Sequence, residues 1–232
     1  MSIDPVLKKQ VISLREECGY TNSEPVNLHS ILFKINVITY FKPLSDDFSG
    51  MAFRYNNFDF ILVNSDQAIG RQNFTVAHEL YHLRFQKDFE THKCQISDLD
   101  GNKRTEQKAN LFAALFLLPE EALLDNIPES ELKKNAITVG TLLRLEQIFE
   151  VSHTFLLYRL KSLKLIDEKK RKEHSSYSIK QKVSEYGFPI DLYESGNHNK
   201  VIGDYGLVAK KLLDENKVSE GHYLELMKVL SK

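Results

Sequence analysis

"FTVAHELYHLRF", residues 74–85, is the stretch of this chain that carries the most structural information. Apolar side chains occupy almost every side of a helix built from it, so most of that helix should be buried. His78, Glu79 and His82 nevertheless stand in its middle. Polar groups that are taken out of water need partners. The segment therefore predicts a core helix whose polar side chains are paired with other residues or with a bound ion.

The composition of the chain limits the classes of protein to which it can belong. A length of 232 residues with 42% hydrophobic content suits one large globular domain, or one domain with a small appendage. The net charge of −1 provides no overall field that would attract nucleic acid or an anionic membrane. The sequence shows no signal peptide and no apolar run of membrane-spanning length, and its two distant cysteines fit a reducing compartment. These features predict a cytoplasmic protein.

The pattern of apolar residues predicts a sheet that is followed by helices. Leu7, Val11 and Leu14 fall on one face of a helix over residues 4–18. Three short segments rich in β-branched and aromatic residues then predict strands at 35–41, 50–55 and 58–65, the last two joined by an Asn56-Asn57 turn. After the quoted helix, further helices are predicted at "TEQKANLFAALFLLP", 120–125, 139–149 and 153–163, with Thr138 and Ser152 as N-caps of the last two. A small antiparallel sheet followed by helices indicates an α+β fold.

The run "DEKKRKEHSS", residues 167–176, predicts a charged linker because it contains no apolar residue. It would separate a domain at 1–166 from a mainly helical C-terminal module at 177–232, which is too apolar to be a solvated tail. The basic residues around this linker are interleaved with few aromatic residues. They favour a solvated segment over a nucleic-acid surface.

His78 to His82 spell an HEXXH motif. Histidines four apart lie on one face of a helix, so both imidazoles can reach a single ion about 2.0–2.1 Å from each nitrogen. Glu79 projects from an adjacent side of the same helix, from which its carboxylate can take a proton from water at the metal. The alternative is a pair of core histidines bonded to backbone carbonyls. A mostly buried helix with all three residues favours the metal.

A catalytic zinc site needs a third protein ligand and an open fourth position. Two residues are candidates. Asp88 lies six after the second histidine, but the pattern that uses such a residue wants a glycine where this chain has Phe85. Glu106, 24 residues after His82, begins the next predicted helix, and Asn110 lies four further on, where its oxygen can steady a ligating imidazole. The sequence favours Glu106.

"FTVAHELYHLRF", followed by "RTEQKANLFAALFLLP" and later by "VSHTFLLYRLKSLKLI", closely resembles the ImmA/IrrE family of zinc metallopeptidases over about residues 25–166. The resemblance implies a reduced gluzincin-like α+β domain in which His78, His82 and Glu106 bind zinc and Glu79 is the catalytic base. It also implies a class of substrate, because members of the family often cleave helix-turn-helix repressors of mobile elements or stress regulons.

Two functions of different classes follow from these residues. One is a zinc endopeptidase that cuts a regulatory protein. The most direct test is whether co-expression with a repressor shortens that repressor. The other is a non-catalytic regulator that uses the zinc domain to bind a partner protein or to sense metal. A structural zinc has no use for a base beside its ligands, so Glu79 favours the enzyme.

Overall fold

The computed structural model describes residues 4–55, 58–86, 104–228 and 230, and the backbone of 92–95. The helices within these residues are α1 (Pro5–Glu17), α2 (Leu28–Lys34), α3 (Ile69–Phe85), α4 (Arg104–Leu117), α5 (Glu120–Asp125), α6 (Val139–Phe149), α7 (His153–Ser162), α8 (Glu168–Ser175), α9 (Ile179–Glu185), α10 (Tyr205–Asp214) and α11 (Glu220–Met227). The strands are β1 (Val37–Lys42), β2 (Phe48–Tyr55), β3 (Phe58–Asn64), β4 (His92–Gln95) and β5 (Val201–Ile202). The predicted α+β class is confirmed.

The sheet has five strands in the order β4-β2-β3-β1-β5. β2 and β3 form the predicted antiparallel pair, whose Asn56-Asn57 turn lies outside the described residues. β1, however, runs parallel to β3, so the prediction of a purely antiparallel sheet is wrong. The prediction assumed that each strand pairs with the next along the chain, as in a hairpin. Here β3 lies between β1 and β2, and that order is set by packing rather than by a turn.

Helix α3 lies on the sheet, and α4 packs against α3. The fit between α3 and the sheet is tight at Gly50, where a Cβ atom would come 2.4 Å from Cγ2 of Thr75. A second close contact lies at the first turn of α3, against the loop before α7. A Cβ atom on Gly70 would lie 2.7 Å from the backbone nitrogen of Ser152. Both glycines let backbone come close to a neighbouring element. They fix the height and direction of the helix that carries the HEXXH motif.

The later helices begin where the sequence predicts. The side chain of Thr138 accepts a hydrogen bond from the backbone N–H of Thr141, and that of Ser152 from Phe155, so both predicted N-caps are confirmed. A capping side chain of this kind stabilises a helix by about 1 kcal/mol. The loop between α6 and α7 lies against Gly70 in the first turn of α3.

The segment predicted to be a charged linker, residues 167–176, contains helix α8, capped by the side chain of Asp167. Its charges form pairs along the helix, such as Arg171 with Glu168 at 2.7 Å, which stabilise a helix that has no apolar residue. Residues beyond it return to the earlier part of the chain, since β5 pairs with β1. The division of the chain into two domains stays a prediction.

Five of the elements named above were not predicted individually from the sequence: α2, α8, α9, β4 and β5. Each has eight residues or fewer, so each gives too short a periodic pattern to be recognised. Within the described part of the chain, no helix combines the length and the apolar character that crossing a membrane requires.

Candidate metal centre

The two histidines of α3 and the glutamate of α4 meet in the interior of the protein. Nε2 of His78 and Nε2 of His82 are 3.1 Å apart. Oε2 of Glu106 lies 3.2 Å from the first nitrogen and 3.7 Å from the second. Glu106 is in the first turn of α4, so the packing of α4 on α3 is what delivers the third group.

The geometry of these three side chains fits a metal ion. An ion about 2.0–2.1 Å from each ligand, in tetrahedral geometry, holds its ligand atoms about 3.4 Å apart. The three separations found here, 3.1, 3.2 and 3.7 Å, surround that value. His78, His82 and Glu106 are 1%, 0% and 6% exposed, and their donor set of two imidazoles and a carboxylate is one that zinc prefers. They form the one group of potential metal ligands found among the described residues.

Each ligand histidine also makes a contact through its other ring nitrogen. Nδ1 of His78 is 2.9 Å from Oδ1 of Asn110, which lies on α4 one turn after Glu106. Nδ1 of His82 is hydrogen-bonded to Oε1 of Gln86, the residue that follows α3. The sequence placed Asn110 near a ligand imidazole, and the structure brings it there. The sequence analysis did not identify Gln86. Its position four residues after His82 would have indicated that the two side chains can meet.

Glu79 and Tyr81 occupy the positions between the two histidines. Glu79 is 0% exposed, so its carboxylate lies in the interior on the same helix as the ligand pair. Tyr81 is 5% exposed, and its ring lies 5.7 Å from that of Phe112, centroid to centroid. Burial raises the pKa of Tyr81, and Asp4 and Glu106 add to the rise. This tyrosine packs in the core.

Asp88, the alternative third ligand, lies outside the described residues. The structure brings Glu106 to the histidine pair, and Glu106 is the ligand that the sequence had favoured over Asp88. What the sequence could not provide is the distance, because 24 residues separate Glu106 from His82.

A second buried polar cluster lies between α6, α7 and α8. Nδ1 of His153 is 2.6 Å from Oε1 of Glu146, and the hydroxyl of Tyr193 donates to Oε2 of the same carboxylate at 2.7 Å. Nε2 of His153 is 3.1 Å from the carbonyl oxygen of His174. Burial lowers the pKa of His153, but the Glu146 carboxylate outweighs burial and the pKa is raised. This cluster ties the C-terminal part of the chain to α6.

The ring of His174 is only 2% exposed, and neither ring nitrogen has a hydrogen-bond partner within the described residues. Burial, together with the positive charge of Lys170, lowers the pKa of His174 to about 4. The imidazole is therefore neutral at pH 7.

Comparison with known proteins identifies the family. A family model described as Peptidase M78, the IrrE N-terminal-like domain, matches residues 36–161. The search of curated proteins found no match. Among solved structures, a Mycobacterium tuberculosis transcriptional regulator aligns at 19% identity with a TM-score of 0.45, over 72% of this chain and 50% of the regulator. The chain thus spans about half the length of that structure.

The family match contains α3 and α4, the two helices that bring the metal ligands together. It also extends over more than half of the 232 residues. The chain therefore belongs to the IrrE N-terminal-like family, Peptidase M78.

Proposed function

We propose that this protein is a zinc-dependent endopeptidase that cuts a regulatory protein. The observation that carries the proposal is the convergence of His78, His82 and Glu106, with Glu79 buried on the same helix as the histidines. Two imidazoles and a carboxylate leave a fourth position open, as catalytic zinc sites do. Membership of a family described as a peptidase supports the same chemistry.

The residues of the chain divide the work of peptide hydrolysis. A bound zinc ion supplies a Lewis acid for the scissile carbonyl and makes water more acidic. Glu79 accepts the proton of the attacking water and passes it to the leaving amine. His78 and His82 hold the ion through Nε2, while Asn110 fixes the ring of His78 through Nδ1. His78, Glu79 and His82 are buried, and burial strengthens their electrostatic interactions.

The substrate that we propose is a helix-turn-helix transcriptional repressor of a mobile element or of a stress response. Support comes from the resemblance of the HEXXH and Glu106 segments to ImmA/IrrE peptidases, since members of that family often cleave such repressors. Repressors act in the cytoplasm, and we place the enzyme there as well. The described residues between 177 and 230 provide no ligand of the metal centre, and we assign the segment 177–232 to target choice or access.

The decisive experiment measures zinc content and repressor cleavage in the same preparations. We expect the purified protein to carry about one zinc per chain, and co-expression with a candidate helix-turn-helix repressor from a neighbouring gene to shorten that repressor. Glu79→Gln should keep the zinc and lose cleavage by about 100-fold or more, because only the base is removed. Glu106→Ala should lose both the zinc and the cleavage. Immunoblotting of the repressor and elemental analysis give the two readouts.

Asp88→Ala is the matched control, because Asp88 was the competing carboxylate, and it should keep both zinc and activity. Loss of zinc in Asp88→Ala but not in Glu106→Ala would overturn the ligand assignment. A wild-type protein that binds zinc and leaves the repressor intact would favour the second candidate, a non-catalytic regulator that binds a partner or senses metal.

A further inference from the structure

The two ligand histidines have the same kind of partner at Nδ1. Asn110 presents its side-chain oxygen to His78, and Gln86 presents its side-chain oxygen to His82. An amide oxygen only accepts hydrogen bonds, so each Nδ1 must carry the proton and donate it. In a neutral imidazole the other nitrogen then holds a lone pair. Both Nε2 atoms are thus fixed as electron-pair donors at the point where Glu106 also arrives.

The position of Gln86 explains how a residue beyond the helix can hold a ligand inside it. Helix α3 ends at Phe85, and Gln86 has extended backbone angles, φ −73° and ψ 123°. Its backbone N–H still donates to the carbonyl oxygen of Tyr81, at 3.2 Å. The residue is therefore anchored through its backbone while its side chain reaches back by four residues to His82. The Nδ1 partner of His82 thus comes from the end of α3, whereas the Nδ1 partner of His78 comes from α4.

The two partners are neutral amides, and this sets the charge of the centre. A carboxylate at Nδ1 would make an imidazole more basic and add a negative charge beside the ion. With amides, Glu106 is the one charged group among the ligands and their Nδ1 partners, so these partners add no charge to the centre.

We propose that Gln86 is a positioning residue of the metal centre: it fixes the Nδ1–H tautomer of His82 and aims Nε2 at the ion. The inference rests on the proposed zinc function and extends it to a residue outside the HEXXH motif and the Glu106 segment. Partners of this kind change metal affinity by about 10- to 100-fold when they are removed.

The test compares Gln86→Leu, which removes the acceptor at similar size, with Gln86→Glu, which keeps an acceptor. In Gln86→Leu we expect zinc affinity, measured by competition with a chelator, to fall by about 10- to 100-fold. Gln86→Glu should bind zinc at least as tightly as the wild type. In the metal-free protein, nitrogen NMR of the histidine rings should show His82 in the Nδ1–H form in the wild type and in Gln86→Glu, and as a mixture in Gln86→Leu. The tautomer of His78 should be the same in all three.

Arg84→Ala is the control for general damage to the end of α3, because it removes an exposed ion pair with Glu17 at 2.7 Å and touches no ligand. Its zinc affinity should equal that of the wild type. An unchanged zinc affinity or an unchanged His82 tautomer in Gln86→Leu would overturn the role of Gln86. If the wild-type protein binds no zinc, the proposed function fails, while the tautomer measured without metal still decides whether Gln86 sets the ring of His82.

Discussion

Two clusters in the described part of the protein use the ring nitrogens of histidine in opposite ways. In the metal centre, His78 and His82 direct Nδ1 at amide oxygens and converge through Nε2. In the second cluster, both nitrogens of His153 face acceptors, the carboxylate of Glu146 and the carbonyl of His174. The first pair offers lone pairs to a cation, whereas His153 offers protons to oxygens. Burial of a histidine thus says little about its role until the direction of each nitrogen is known.

The glutamates of the two regions differ in the same way. Glu106 approaches two nitrogens that carry lone pairs, an arrangement that is stable when a cation lies between them. Glu146 accepts hydrogen bonds from His153 and Tyr193 and needs no ion. The first carboxylate is placed where it can bind an ion, and the second joins side chains of neighbouring helices.

Exchanging each glutamate for glutamine should separate the two regions most strongly. Glu106→Gln should lower zinc affinity by about 1,000-fold, or about 4 kcal/mol, while the unfolding free energy of the metal-free protein changes little. Glu146→Gln should leave zinc affinity unchanged and lower the unfolding free energy by about 3 kcal/mol, because it weakens two buried hydrogen bonds to a charge. Chelator competition and denaturant unfolding measure the two quantities. If Glu146→Gln releases zinc, the two regions are not independent.

The dependence of stability on pH should expose the difference between His174 and the other histidines. Its pKa is lowered to about 4 in the folded state by burial, against about 6.5 when unfolded. The unfolded chain then takes up a proton that the folded chain refuses, so stability is lost as the pH falls below about 6.5. Between pH 7 and pH 5 this loss should be about 2 kcal/mol.

His174→Leu fills the same buried position with an apolar side chain that cannot bind a proton. It should therefore remove the loss of stability in acid, which urea unfolding at several pH values would measure. The pKa of His153 is raised, so its contribution is present below about pH 6.5 and is lost as the pH rises through the folded value. That contribution has the opposite sign, and the difference between wild type and variant therefore reports His174. Equal acid sensitivity of the two proteins would contradict the prediction.

The smallest expected effect concerns the contact between Tyr193 and Glu146, which links the C-terminal part of the chain to α6. Tyr193→Phe removes one buried hydrogen bond to a charged group and should lower the unfolding free energy by about 1.5 kcal/mol, with zinc affinity unchanged. Tyr186→Phe is the control, since Tyr186 is 52% exposed. Thermal melts of both variants would show whether only the buried hydroxyl matters.

Predictions from the sequence were accurate where they rested on local geometry. The N-caps Thr138 and Ser152 act within one turn of their helices, and the HEXXH spacing places both histidines on one face whatever surrounds them. The antiparallel sheet was wrong because the β1 and β3 pairing joins strands that are not neighbours along the chain. Gln86 was missed because it lies just after the helix, where an amphipathic pattern no longer indicates which way a side chain turns.

The sequence by itself determined that His78, Glu79 and His82 share one buried helix, because the helical repeat fixes their relative directions. Only the tertiary structure decided how Glu106 reaches them, that Glu146 binds both His153 and Tyr193, and that β1 lies beside β3. Those contacts join residues far apart along the chain. Their geometry follows from how the buried faces of all the helices and strands pack together, and no local repeat encodes that packing.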